Sequence, residues 1–415
     1  MERAKARRRR LVLGTLGALA IAGFAIGAVL GSGGSGGRPK ARSAGQRTPT
    51  GGGSTSGGGE ESRSRPTLAE TLTPSELAGE RIVVSVDGTG LTPELRNAVH
   101  TGKVAGVVLF EADFPTRAAG RELIDALQAI PRPARLRRLP LLVMTDQEGG
   151  EVKRVDGPPQ ASAAKMGAAG GAYAHHQGRA TAANLASLGV DVDLAPVLDA
   201  ARPGGVIAAT ERGFGETAAA VAETAVPFAT GLQEGGVAAT AKHFPGLGTA
   251  TENTDFEAQR LTLSKAELRS VDEAPYRAFI AAGGKLVMLS TAIYPAFSRR
   301  PAAFTRSLAT GELRSRLGFH GVTITDSLGS SAVAAFGGQR EAAVDGAAAG
   351  DDLLLFDDLP SALAGHEALV KQLHRGGLRR APFLTAVGRV LRLRAAARTS
   401  SSKRRRVRSP LSESS

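Results

Sequence analysis

Charged side chains close several of the apolar runs in this sequence. Asp146 and Glu148 end LPLLVMTDQEG, and Asp199 ends GVDVDLAPVLD. Lys242 and His243 lie late in GVAATAKHFPG, and Asp326 lies in GVTITDSL. Such groups directly beside buried strand residues are costly unless they line a wet pocket. A pocket of carboxylates, two or three cations and one histidine suits carboxylate chemistry, of the kind that cleaves glycosidic bonds. A carboxylate flanked by Lys and Arg stays ionised, as a nucleophile must. Other chemistries lack their residues. The chain has no cysteine, which excludes disulfides, thiolate metal sites and a thiol nucleophile. No G-x-S-x-G elbow joins a strand to a helix, and neither an H-E-x-x-H pair nor a P-loop occurs. No metal or organic cofactor is implied. The His175–His176 pair reads as ordinary surface or packing positions.

The elements that must hold these residues repeat. Short β-branched runs recur at 81–88, 104–110, 139–149, 189–199, 236–246, 285–295, 321–328 and 351–358. Several are apolar throughout, as buried parallel strands are. Ala-rich stretches with helical spacing separate them, for example 215–234 and 338–350. Strand–helix alternation implies α/β architecture with a parallel sheet. Eight runs suit a closed (β/α)8 TIM-like barrel over residues 66–395, with a doubly wound sheet as the rival. No G-x-G-x-x-G follows the first strand, which weakens a dinucleotide-binding version of that rival. In a barrel the charged strand ends converge on one face.

Taken in order, TDQEGGEVKR at 145–154, APVLD at 195–199, ERGFG at 211–215, KHFPGLG at 242–248 and GVTITDSL at 321–328 resemble the N-terminal barrel of family 3 glycoside hydrolases. Within that family the chain resembles the single-domain bacterial β-N-acetylhexosaminidases. The resemblance implies that Asp326 is the catalytic nucleophile, whose rival reading is a helix N-cap. It implies that Asp146, Lys242 and His243 bind the sugar hydroxyls, with Arg154 and Arg212 as cations near that sugar. Glu148, followed by two glycines, reads as shaping the loop. One stretch departs from the family. There KHFPGHGD continues to an Asp-Ser-His triplet that supplies the acid/base and its orienting partner. Here Asp255 stands at the His position and Asn253 at the partner position, while Leu247 and Thr249 replace a His and an Asp. Asp255 is the first candidate for the acid/base and Glu252 the second.

The chain ends carry other information. The 415 residues bear a net charge of +13, and all of that excess lies in 1–10, 31–65 and 396–415. The body is near neutral, so the charge does not indicate nucleic-acid binding. After the basic segment 1–10, residues 11–30 form an uncharged apolar run. At about 1.5 Å per residue such a run spans about 30 Å, the thickness of a bilayer core. It reads as a transmembrane anchor with the barrel outside, or as a cleaved signal peptide of a secreted chain. Residues 31–65 are a Gly/Ser-rich linker expected to be disordered. The basic tail 396–415 reads as a disordered end, with contact to anionic envelope polymers as the alternative.

The function expected is an exported retaining glycosidase acting on a terminal β-linked sugar, of N-acetylglucosamine type in cell wall or chitin. A β-glucosidase and a catalytically impaired glycan-binding envelope protein are the alternatives.

Overall fold

The computed structural model describes residues 66–408. The basic segment, the apolar run 11–30 and the linker lie outside the described residues, as does 409–415. Among the described residues no helix is long and apolar enough to cross a membrane.

Eight parallel strands form the centre: β1 Ile82–Ser85, β2 Gly106–Val108, β3 Leu142–Thr145, β4 Val192–Asp193, β5 Ala238–Phe244, β6 Leu286–Leu289, β7 Val322–Thr325 and β8 Leu354–Phe356. They pair in the order β8-β1-β2-β3-β4-β5-β6-β7. A bridge between Ile324 and Leu353 joins β7 to β8, so the ring is nearly closed. Helices follow each strand: α1 Pro93–His100, α2 Arg117–Ala129, α3 Gly171–Leu188, α4 Ala218–Glu234, α5 Ala274–Ala281, α6 Ser307–Arg316, α7 Gln339–Ala349 and α8 Leu359–Arg375. The (β/α)8 expectation holds for the described body. The Ala-rich stretches named from sequence are α4 and α7.

The strands are apolar throughout because both faces are buried. Val83, Leu142, Met144, Leu286, Met288, Val322, Ile324 and Leu355 pack together inside the ring. The alternate residues Ile82, Val84, Val143, Val287, Leu289, Leu354 and Phe356 pack outward against the helices. A period of two with two dry sides reads as one continuous apolar run. Threonine hydroxyls start the helices at fixed points. Thr92, Thr116 and Thr217 accept backbone amides of α1, α2 and α4, each offsetting one orphan donor.

The chain ends in α9, Arg380–Arg408. Val390 packs into the interior cluster, and Arg394 ion-pairs with buried Glu80 just before β1. Arg394 Nε also donates to the Pro140 carbonyl at 2.9 Å, just before β3. The helix therefore covers the N-terminal mouth of the barrel. It continues past residue 396, where a disordered tail was expected. The Ala and Arg residues there extend the helix already held by Val390 and Arg394, rather than leaving it.

Helices α3 and α4 touch through glycine. A Cβ on Gly178 would collide with the Phe228 carbonyl, and one on Gly231 with the His175 carbonyl. Gly178→Ala gains about 1 kcal/mol of helix propensity but must push two backbones apart, which costs about 1–3 kcal/mol. Backbone cannot step aside as a flexible side chain can, so the variant should unfold at lower temperature in a calorimetric scan. An unchanged or higher Tm would show that the two helices separate freely.

Candidate active site

The charged residues collect at the C-terminal ends of the strands. Asp146 directly follows β3. A short hairpin, Gln147–Gly149 with Val152–Lys153, then turns back over the barrel mouth. Gly149 and Gly150 take φ of 97° and 58°, which lets the chain reverse there. Buried Gln147 locks the hairpin. Its Oε1 accepts the amides of Arg154 and Val155, and its Nε2 donates to the carbonyls of Val155 and Pro158.

Glu148 is held inside by two cations. Arg212 grips it with Nε and Nη2, both at 2.8 Å, and Lys242 Nζ lies 2.7 Å from it. Lys242 also donates to Asp146 at 2.6 Å. Burial opposes ionisation of Glu148, but Arg212 and Lys242 outweigh it and hold the carboxyl well below the usual range. Burial likewise works against the Lys242 ammonium, and Asp146 with Glu148 more than restore it. Glu148 thus does more than shape its loop, the role its sequence context suggested. Its charge cancels part of the positive cluster.

His243 sits on the next residue of β5. Its Nδ1 lies 2.7 Å from Asp199 Oδ2, a contact that leaves Nε2 for the pocket. Asp199 is fully buried and also accepts the amides of His243 and Leu247 at 3.1 and 2.8 Å. It orients the histidine and braces the KHFPG turn.

Asp326 follows β7. Its amide donates to the Leu289 carbonyl, and its Oδ1 accepts the Ser327 amide at 2.8 Å. The next helix, Ser331–Ala334, has Ser330 at its N-cap, so Asp326 is not that helix's cap. Burial raises the Asp326 carboxyl to about 6; the Asp255 charge adds to the rise, while His243 and Lys242 oppose it.

The loop that departs from the family is stitched to this strand end. The Asp255 carbonyl accepts the Ser331 amide at 3.1 Å, and the Thr254 carbonyl accepts the Ala332 amide. Asn253 holds Asp255 locally. Its Oδ1 accepts the Asp255 amide at 3.0 Å, and its Nδ2 donates to Asp255 Oδ2 at 3.4 Å. Asp255 is half-buried and its charge is felt at Asp326, whereas Glu252 is exposed. Arg154 is half-buried over the Phe110 ring at 5.6 Å, and its buried Nε has no hydrogen-bond partner. That leaves its guanidinium available to a ligand. Of the residues named from sequence, all but Glu252 meet in this face.

Two residues of the site were not assigned from sequence. Asp199 was marked only as a strand end. Asp193 closes β4, fully buried, and accepts the Gln147 amide at 2.9 Å through Oδ1, while Oδ2 has no partner. Burial pushes its carboxyl well above the usual range, with the Asp146 and Glu148 charges adding to the push.

A family profile described as "Glycosyl hydrolase family 3 N terminal domain" matches residues 79–393. The chain belongs to glycosyl hydrolase family 3. It is a glycoside hydrolase, and its relatives agree. A protein from Arthroderma benhamiae named "Uncharacterized secreted glycosyl hydrolase" is 37% identical over 286 residues, 67% of this chain and 80% of that one. A "Beta-hexosaminidase" of Xylella fastidiosa is 33% identical, covering 72% of this chain and 92% of its own. Among solved structures, the family 3 β-N-acetylglucosaminidase from Paenibacillus sp. superposes with a TM-score of 0.74 at 30% identity, over 83% of this chain and 65% of that one. The β-N-acetylhexosaminidase from Beutenbergia cavernae superposes with a TM-score of 0.70 at 31% identity, over 79% and 99% of the two chains.

In this family 3 barrel burial pushes the Asp193 carboxyl toward its neutral form, and Asp193→Asn is close to isosteric with that form. Thermal unfolding should show the Asn variant within about 0.5 kcal/mol of the parent at pH 5, and Asp193→Ala about 1–3 kcal/mol less stable. A raised carboxyl costs stability as pH climbs above its unfolded value of about 3.9. The Asn variant should therefore gain on the parent between pH 5 and pH 8. A loss of relative stability at pH 8 would show that Asp193 is ionised.

Proposed function

We propose that the protein is an exported, retaining β-N-acetylglucosaminidase with Asp326 as nucleophile and Asp255 as acid/base. The carrying observation is the pair itself. Asp326 stands at the end of β7, where the charges of His243, Lys242 and Asp255 all act on it, and the Asp255 loop is bonded to Ser331. His243 and Lys242 oppose the rise in the Asp326 carboxyl and so favour the ionised form that a nucleophile needs.

The Asp326 carboxylate attacks the anomeric carbon as the bond to the leaving oxygen breaks. The Asp255 carboxyl gives that oxygen its proton. Water then attacks the glycosyl ester from the same side, Asp255 takes its proton, and Asp326 is released as carboxylate. Asp146, Lys242, His243 and Arg154 would grip the sugar, with Arg212 acting through Glu148. Asn253 takes the orienting role toward Asp255. The N-acetylglucosamine preference is supported by the names of the relatives. Export is supported by the apolar run at 11–30 and by the relative named as secreted. The same run leaves a membrane anchor or a cleaved signal as the means of export.

An aryl leaving group needs little acid assistance, so it separates the two carboxyls experimentally. Full-length protein with aryl β-N-acetylglucosaminide should lose turnover in Asp326→Ala. In the parent the rate should fall below about pH 6, as Asp326 takes up its proton. On the aryl substrate Asp255→Asn should keep most of its turnover, because that leaving group needs little acid assistance. With a poor leaving group the same variant should lose about 10²–10⁴-fold. Full activity in Asp255→Asn on poor leaving groups would remove Asp255 from the mechanism. Faster turnover of aryl β-glucoside would make the protein a β-glucosidase. Sugar binding without any turnover would make it a glycan-binding barrel.

A further inference from the structure

A cavity of about 480 Å³ lies at the opposite end of the barrel from Asp326. Arg81, just before β1, and Gly350, just before β8, bound it on one side. Helix α6 and the start of α9 close the others. Small-molecule sites commonly hold about 300–1,000 Å³, so the space is large enough for an organic ligand.

Its charge is one-sided. Arg81, Arg306, Arg314, Arg379 and Arg389 line it, and no acidic side chain does. Behind the wall Asp352 is fully buried, with Arg389 and Arg314 on its carboxylate at 2.7 Å and the Thr323 amide at 3.0 Å. Asp351 beside it has both oxygens buried and unpartnered, and burial together with the Asp352 charge raises its carboxyl well above the usual range. Five guanidinium groups thus face two carboxyl groups.

Part of this arrangement is structural. Arg314 and Arg389 tie α6 and α9 to the segment before β8. Arg81, only 1% exposed, stacks over Phe383 at 4.3 Å and donates to the carbonyls of Asp351 and Asp352. Its burial pulls the guanidinium down to about 10 in spite of both acids, so its charge is under-compensated. Stapling does not account for the other two. Arg379 has no side-chain partner among the described residues. Arg306 makes one long bond, 3.4 Å to the Ala348 carbonyl. Both stand at the rim, exposed, and the positive end of the α9 dipole lies beside them. Leu378, Pro382 and Phe383 supply an apolar wall.

We propose that this cavity binds an organic phosphate, with the phosphoryl group taken by Arg306 and Arg379 and the carbon skeleton seated on Leu378 and Phe383. A phosphoryl group carries about −1.5 to −2 at neutral pH, which matches the surplus better than a single carboxylate does. Guanidinium forks suit its oxygens.

Calorimetric titration of the full-length chain with phenyl phosphate and with inorganic phosphate, at fixed ionic strength, tests this. One saturable site is expected, with phenyl phosphate the tighter ligand. The Arg306→Ala/Arg379→Ala double variant should bind at least tenfold more weakly with an unchanged Tm, since both side chains are exposed. Phenyl phosphate should not compete with a β-linked aryl glycoside for hydrolysis. Absence of a saturable site, equal affinity in the double variant, or equal affinity for the two phosphates would overturn the proposal. Competition with the glycoside would also overturn it, by placing the phosphate in the sugar site.

Discussion

Lys242 is buried between Asp146 and Glu148, and the rest of the catalytic face is arranged around that contact. An isolated buried charge costs several kcal/mol, and removing one partner of a buried pair costs about 3–5 kcal/mol. Here two cations meet two carboxylates, because Arg212 completes the set through Glu148. The carboxylates come from the turn after β3, the lysine from β5 and the arginine from the excursion after β4. Electrostatic balance therefore fixes how these strand ends sit against each other. Asp193 follows from the same constraint. A fifth charge would have no counter-ion in that space, and the Asp193 carboxyl is pushed up.

The opposite side of the face has a different problem. Asp326 is half-buried, and burial and the Asp255 charge both work against its ionisation. His243 and Lys242 supply the compensating field, and Asp199 fixes the imidazole that provides part of it. The hydrogen bonds from Ser331 and Ala332 to the 254–255 backbone hold the replaced loop against the β7 end. A family 3 barrel that lacks the usual histidine thus retains a titratable group at that position, oriented by Asn253.

Much of this was legible in the sequence. The apolar runs announced the strands because both faces of each strand are dry, and the charged residues closing them announced the functional end. Type and place alone put Asp146, Lys242, His243 and Asp326 at strand ends, where the structure has them. Glu148 was misjudged because two glycines follow it, and those glycines serve the hairpin that buries it. Asp193 and Asp199 were not assigned, since their roles depend on partners 46 and 44 residues away in the chain. Motif position ranks Asp255 ahead of Glu252, and the structure adds the pairing of 254–255 with 331–332, a contact between loops on two strands. The basic tail resembled a disordered end because charge runs usually are, and here Val390 and Arg394 anchor the helix that carries it past residue 396.

The account rests on Asp326 forming a bond to sugar in a field set by Lys242 and His243. The most direct measurement is peptide mass mapping of the full-length protein after incubation with a slowly turned-over fluorinated β-N-acetylglucosaminide. A retaining nucleophile accumulates as a glycosyl ester under those conditions. The account predicts one added sugar, on the peptide that contains Asp326. Turnover without any adduct, or an adduct on another carboxylate, would contradict it.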